Sequence, residues 1–562
     1  MKQLTIIFIA GLLMSSCGSL DLHPLSDGSS ETWNSTPEEI EMSLNGLYKS
    51  DDFWMKDSDE WTDDWMYRDA TTEVTGATIN GETGFVKDWW TRTYKAIART
   101  NNILQSLPRA AKVLSADQIN LYSAEARFVR ACQYSRLLSH YGNIIYTDST
   151  LDIEQALQMK QMDKQTVLQK IYADFDVAAA TLKTTVGSGD LKRATKGAAL
   201  AMKARIALYM GDWATVKTAA QACMDLNVYQ LHDNFSTLFL SKTKNASETV
   251  LGLPRSVALK VTLGDCQNFV TRNAGGWAAK DPSWDLFCAF LCKDGLPIDK
   301  SPLFNPRRPF DNRDPRCTAT IVEFQTPHLG YVFQPHPDSL TVLKVADNKY
   351  VENKDTRAVA QFASFNGLLW KKGVDGDWLL NSWTAEPDNI IIRFADVLLM
   401  YAEAKTALGE IDQSVLDAIN KVRARAYGTV YTNTAAYPAV TTTDKTALTK
   451  IIRTERRMEF ALEGIRYMDI IRWRLAEKVL NKVNYGLLDP ADLRTKVVKP
   501  GLWFFPQTPL LDDDGVADFT PMYNAGQVKQ IAVRKFDATR QYLWPIPSTE
   551  VLTSHLIQNP NY

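Results

Sequence analysis

The chain is predicted to be mainly α-helical: a tetratricopeptide-like helical-repeat scaffold of about four helix pairs, carrying a large irregular, loop-rich region with short strands. Three observations predict this. Ala- and Leu-rich stretches with apolar residues at helical spacing recur in pairs, separated by Gly or Asp turns. Two long stretches, 227–390 and 484–562, are dense in Pro, Gly, Asn and Asp and lose helical periodicity. No alternation of strands and helices suggests a barrel. A helix hairpin has one face it cannot bury alone, and stacking hairpins is the usual solution.

The elements follow in chain order. Lys2 and the eleven-residue apolar run Leu4–Met14 read as a secretory leader. At 1.5 Å per residue the run spans about 16 Å, too short for a bilayer core of about 30 Å. Ser15, Ser16 and Cys17 follow, resembling a bacterial lipobox, although Met14 stands where Leu is usual. Residues 1–16 are therefore expected to be a lipoprotein signal peptide, with acyl chains on Cys17 anchoring the rest to a membrane; each buried methylene adds about 0.8 kcal/mol. An N-terminal helical-repeat part with aromatic loops, 17–226, comes next, with helices expected between Pro37 and Tyr141 and a hairpin over Leu191–Met210 and Trp213–Leu226. In that hairpin Gly197, Ala198, Ala201, Ala204 and Leu208 fall on one face, where small side chains admit a close partner helix. Residues 227–390 form an irregular insert suited to ligand binding, because loops on a rigid scaffold carry binding groups. Residues 391–480 supply further repeats: Ile391–Leu408 stopping at Gly409, a return helix capped by Ser414 and ended by Gly428, and a pair from Lys445 to Leu480 turning at Gly464. Residues 481–562 are an irregular segment packing on the scaffold.

Composition narrows the function. Net charge is −2, which argues against a nucleic-acid binder. The 22 Phe, 21 Tyr and 15 Trp exclude a disordered chain. Six cysteines remain beyond Cys17: Cys132, Cys223, Cys266, Cys288, Cys292 and Cys317. They are too sparse for a disulfide framework, and they read as small buried thiols. Cys288 and Cys292 have no His nearby, and His328 and His336 share a Pro-rich loop, so no metal site is expected. Asp512–Gly515 lacks the alternation of a calcium loop. There is no Gly-x-Ser-x-Gly elbow and no cofactor motif. A surface-anchored glycoside hydrolase would need two carboxyls about 5–9.5 Å apart. Without a barrel pattern the reading is a binder, not an enzyme.

The tryptophan surplus suits sugar binding, since the C–H face of a pyranose packs on an aromatic plane while its hydroxyls take polar partners. The candidate ligand-binding residues are Trp61, Asp64, Trp65, Tyr67 and Trp89 in an early cluster (with Trp54, Asp63 and Arg68), Trp378 and Trp383 beside the Gly373–Trp378 turn, and Trp277 in a looser set with Trp284, Phe304, Arg307 and Arg308. Trp90, Trp213, Trp473 and Trp544 are expected in the core. Asp63 and Asp64 read as hydroxyl acceptors or as solvated acids. The charge run Arg453–Glu459 reads as an ion-pair network between helices.

Motifs spread over most of the chain carry a resemblance to a family. They are Cys17-Gly18-Ser19-Leu20-Asp21 with Pro24; Trp90, Tyr94, Ile97 and Asn101; Arg193–Leu200 with Lys203-Ala204-Arg205; Asn312–Arg316; Arg393–Ala404; Glu455-Arg456-Arg457 with Glu459, Glu463-Gly464 and Asp469–Trp473; Leu543–Pro547 with Glu550; and Gln558–Tyr562, where Asn561 replaces the usual Gly. In their order and number they resemble the SusD/RagB family of outer-membrane nutrient-binding lipoproteins. The resemblance implies a lipid-anchored protein on the outer membrane facing the cell exterior. It would capture a glycan and deliver it to a SusC-like TonB-dependent β-barrel transporter. The alternatives are a peptide-binding subunit or a purely structural lid of such a transporter, and the last requires the tryptophan clusters to be buried.

Overall fold

In the computed structural model, residues 33–49, 53–187 and 193–562 are described. The leader, Cys17 and the start of the helix expected from Leu191 lie outside them. Four helix pairs follow in the chain: Ala116–Tyr141 with Lys164–Thr181, Lys196–Met210 with Trp213–Met224 and Phe394–Leu408 with Gln413–Ala426 pack as hairpins, while in the last Lys445–Glu459 packs on Phe394–Leu408 and Arg466–Arg472 on Lys196–Met210. Pro37–Leu47 and Gly84–Ser106 pack at the start of the row. Ends are set by local chemistry. Ser115 and Gln118 make a reciprocal capping box, Thr195 Oγ1 accepts from Ala198 N at 3.1 Å, and Gly211 and Gly409 end their helices at φ of +74° and +77°. The small face of Lys196–Met210 behaves as expected: Ala198, Ala201, Ala204 and Leu208 are all fully buried.

Two expected boundaries move. Ile391–Arg393 are strand, not helix: Asn389–Arg393 pairs antiparallel with Thr249–Leu253, and the helix begins at Phe394. The β-branched run Ile390-Ile391-Ile392 explains the preference. The cap of the return helix is Asp412, which accepts from Ser414 N at 3.0 Å, instead of Ser414. This strand pair is the stem of the insert. The chain leaves the scaffold after Trp213–Met224 and comes back into Phe394–Leu408, which packs against that same helix.

The apolar interior has two large cores and two smaller clusters. One core runs along the helices from Ile40 to Met468 and is closed by Trp544, Ile546 and Leu556 from the tail. The second joins Trp65 to the insert (Cys266–Trp378), to Met458 and Ala461, and to the tail residues Leu487–Val528. The insert holds short two-stranded pairs and one four-stranded antiparallel sheet over Thr326–Glu352. All six cysteines beyond Cys17 are free and buried.

The seam between scaffold and insert is ionic. Arg393 is paired with Glu248, Glu459 and Glu463; Arg316, fully buried, with Asp314, Glu455 and Glu459; Arg456 with Asp396 and Asp469. Arg457 and Arg466 hold Asp63 at 2.8 and 2.9 Å, and Arg457 Nε donates to Asp64 at 2.8 Å. The run Arg453–Glu459 is thus the network its charge pattern suggested. Asp63 and Asp64 belong to it: both are buried, which corrects the reading of them as solvated acids or sugar acceptors. Burial would raise Asp63, but the guanidiniums of Arg457 and Arg466 outweigh it and hold its carboxyl well below the ordinary range.

Asp59 goes the other way. Burial, helped by Asp64, pushes it up to about 7, against the stabilising hydrogen bond from Gly464 N (3.0 Å). The native state then binds a proton that the unfolded chain releases near pH 3.8. Its contribution to stability is therefore fully present at low pH and is lost as pH rises from 3.8 to about 7. Asp59→Asn, which keeps the acceptor for Gly464, should raise the urea midpoint at pH 8 and leave it nearly unchanged at pH 4.

Candidate functional site

The strand Trp65–Tyr67 pairs antiparallel with Lys280–Pro282, placing Tyr67 opposite Lys280, and Arg68 N donates to Ala279 O at 3.1 Å. The early aromatic segment is thereby fixed to the loop 266–279 of the insert. That loop folds back on itself: Trp277 N donates to Gln267 O (2.7 Å), Ala278 N to Val270 O (3.0 Å) and Ala279 N to Asn268 O (2.9 Å). Gly275 and Gly276 make the turn possible. Gly275 has φ +95°, and a Cβ on Gly276 would lie 2.2 Å from Val270 O. The result is a tip that holds Trp277 outward, 46% exposed.

A second loop docks on this tip. Asp355 accepts from Arg272 N at 2.7 Å and from Thr271 Oγ1, and Lys354 N donates to Asn273 Oδ1 at 2.6 Å. It delivers Phe362, 47% exposed. Arg272 Nη1 donates to the carbonyl oxygens of both Trp277 (3.1 Å) and Phe362 (3.4 Å), tying the main chains that carry the two exposed rings to one guanidinium. Arg68 lies over the Phe362 ring at 5.2 Å and borders Tyr67 at 6.0 Å. Half-buried Trp383 supports the tip from below: its ring is 3.3 Å from where a Gly275 Cβ would sit.

The electrostatics beneath are those of a buried polar floor. Asp281 is wholly buried; its burial pushes the carboxyl well up, with Ser364 and Arg68 opposing. Burial also raises Asp355, against its bonds from Thr271 and Arg272. Arg68 Nε, Arg272 Nε and Asn273 Nδ2 are buried and find no acceptor among the described residues. Above these buried atoms, the part-exposed side chains of Arg68 and Arg272 flank the aromatic faces, the chemistry that meets the hydroxyls and the apolar face of a sugar.

Two family models match the chain, one described as "SusD family" over residues 243–562 and one as "Starch-binding associating with outer membrane" over residues 25–208. The chain belongs to the SusD family. A SusD-like protein of Formosa agariphila is 22% identical over the whole of both chains. Among solved structures, a SusD-like carbohydrate-binding protein of Bacteroides fragilis is 25% identical at TM-score 0.74, covering 92% of this chain and 98% of that one. A surface glycan-binding protein A of Bacteroides fluxus is 19% identical at TM-score 0.63, with coverage of 94% and 100%. No helix among the described residues is long and apolar enough to cross a membrane.

Within this SusD-family fold, the eight sequence candidates part company. Tyr67, Trp277 and Trp383 come together at the platform. Trp61, Asp64, Trp65, Trp89 and Trp378 do not; each is buried, at most 7% exposed, so none presents a free face. Trp61 and Trp89 pack on Trp544 (5.2 and 5.0 Å) between the helices and the tail. Trp65 and Trp378 both pack edge-on against Phe269 in the second core. The turn before Trp378 points inward because Asp375 is spent on Asp377 N (3.0 Å) and Ser241 N (2.7 Å). Of the third set, Trp284 is buried, and its indole N–H donates to Asn366 O at 2.9 Å. Trp65→Ala or Trp378→Ala should accordingly lower the melting temperature, at a cost of about 3–5 kcal/mol.

Sequence reasoning missed Phe362, Arg272, Asn273 and Asp355. The Gly275-Gly276-Trp277 triplet was the available signal, since a double glycine before an aromatic marks a turn that displays it. A groove of about 690 Å³ lies elsewhere, on the helix Gly84–Ser106, lined by Trp90, Tyr94, Ile97, Leu157 and Met159. Its rings are less suited to a sugar: Trp90 is buried, and the Tyr94 hydroxyl is committed to Ile145 O at 2.9 Å.

Proposed function

We propose that this protein is a glycan-binding lipoprotein, not an enzyme, anchored through Cys17 to the outer membrane and facing the cell exterior. It captures an oligo- or polysaccharide on Trp277, Phe362, Tyr67, Arg68 and Arg272, with Trp383 as support. It passes the ligand to a SusC-like TonB-dependent transporter. The observation that carries this reading is the pair of exposed rings, Trp277 and Phe362, whose main chains are joined through one arginine. The carbohydrate- and glycan-binding relatives support it by analogy.

A purely structural lid would bury its tryptophans, and Trp61, Trp65, Trp89 and Trp378 meet that requirement. Trp277 and Phe362 do not, which favours a ligand surface over a bare lid. Calorimetric titration of the chain from residue 18 against purified polysaccharides and peptides tests the reading. Heat with at least one glycan is expected. Heat with peptides alone would assign the platform to peptide capture, and silence throughout would favour the structural lid.

A further inference from the structure

Between the helix Ala116–Tyr141 and the segment 54–57 lies a small cavity of about 30 Å³. Its wall carries four cationic or basic side chains, Lys56, Arg136, Arg205 and His140, against two carboxylates, Asp57 and Glu463. Most of these are already committed. Arg205 is bound to Asp396 Oδ2 and Ile391 O, both at 2.7 Å. Glu463 is held by Arg393 and Lys372. Asp57 Oδ1 meets His140 Nε2 at 3.0 Å.

Arg136 and Lys56 are left over. Arg136 is 3% exposed, and its Nη1 reaches only Gln133 Oε1, at a long 3.4 Å. Its Nε and Nη2 are buried and donate to no described residue. The guanidinium is wedged over the rings of Trp89 (4.5 Å) and Trp54 (5.5 Å), which fix it in place facing the cavity. A buried guanidinium without a carboxylate of its own is costly unless something charged answers it. Burial pulls Arg136 down to about 10 and Lys56 down to about 8, against the fields of Asp57 and Glu463 respectively.

We propose that this cavity is a binding site for a chloride-sized monovalent anion, held by Arg136 Nε and Nη2 and by the Lys56 ammonium. Water would satisfy the donors but add no charge to the fields of Asp57, which also meets His140, and Glu463, which is held by Arg393 and Lys372. The volume admits one or two water-sized groups, so phosphate, sulfate and sugars are too large. The anion would clasp the segment 54–57 to the repeat scaffold. That segment leads into Trp61 and then into the strand that ends at Tyr67, so the clasp steadies one edge of the platform.

The test compares thermal unfolding of the chain from residue 18 in sodium chloride, bromide and isethionate at equal ionic strength. The expected result is a melting temperature that climbs with halide concentration and stays flat in isethionate, as ligand binding to the native state alone requires. Lys56→Met, a change at a part-buried position, should weaken the halide dependence at least tenfold, and Arg136→Gln should abolish it if that variant folds. Crystals soaked in bromide should show an anomalous peak beside Arg136. Equal melting temperatures in halide and isethionate would overturn the proposal, as would bromide peaks confined to other places.

Discussion

Glu459→Ala should be among the most damaging single substitutions in this protein. Glu459 Oε1 binds Arg393 Nη1 at 2.7 Å and also Arg425, while Oε2 binds Arg316 Nη1 at 3.0 Å, all in the buried seam. Burial alone would raise its pKa, but Arg425, Arg393 and Arg316 outweigh that and hold it well below the ordinary carboxylate range. Removing it leaves three arginines short of a partner where water does not reach. Breaking one partner of a buried pair costs about 3–5 kcal/mol. Unfolding midpoints in urea should fall accordingly, and Glu459→Gln, which keeps shape and loses charge, should fall almost as far. The same seam predicts acid sensitivity. Asp396, raised by burial but outweighed by Arg456 and Arg205, sits at about 2 against an ordinary 3.8. Its contribution is complete above pH 3.8 and is lost as pH falls toward 2.

The second large effect is on binding. Trp277→Ala removes a ring whose exposed half contacts nothing needed for folding, and its neighbours hold its main chain, not its indole. A central aromatic contact is worth about 2 kcal/mol or more, so glycan affinity should drop roughly 30-fold or beyond. The melting temperature should stay within about 1 °C of the parent, since a surface change away from packing features is nearly neutral. Phe362→Ala should behave alike. Trp65→Ala should show the opposite signature, lost stability first.

The helical scaffold was legible because its signals are local. Gly211 and Gly409 stop helices by the left-handed conformation they adopt, and the alanine face of Lys196–Met210 announces a close neighbour. The motif residues Arg316, Arg393, Asp396, Glu455, Arg456 and Glu459 were visible as a pattern, and their role became plain only when the fold brought them into one ionic seam. The platform was legible only in part. Tryptophan count cannot separate a stacking face from a core filler, because both need the same ring. Trp61, Trp89 and Trp544 pack on one another and on His140 and Tyr467 where the tail meets the helices. What distinguishes Trp277 is the double-glycine turn that holds it out and a partner loop 85 residues later in the chain that brings Phe362 beside it. That long-range pairing has no local signature.

The most direct measurement is backbone hydrogen exchange with and without whichever glycan the titration identifies. The expected result is protection confined to residues 67–68, 267–279 and 353–363 on adding the sugar. Protection centred instead on the helix Gly84–Ser106 and its groove, with no change at Trp277 and Phe362, would contradict the assignment of the platform.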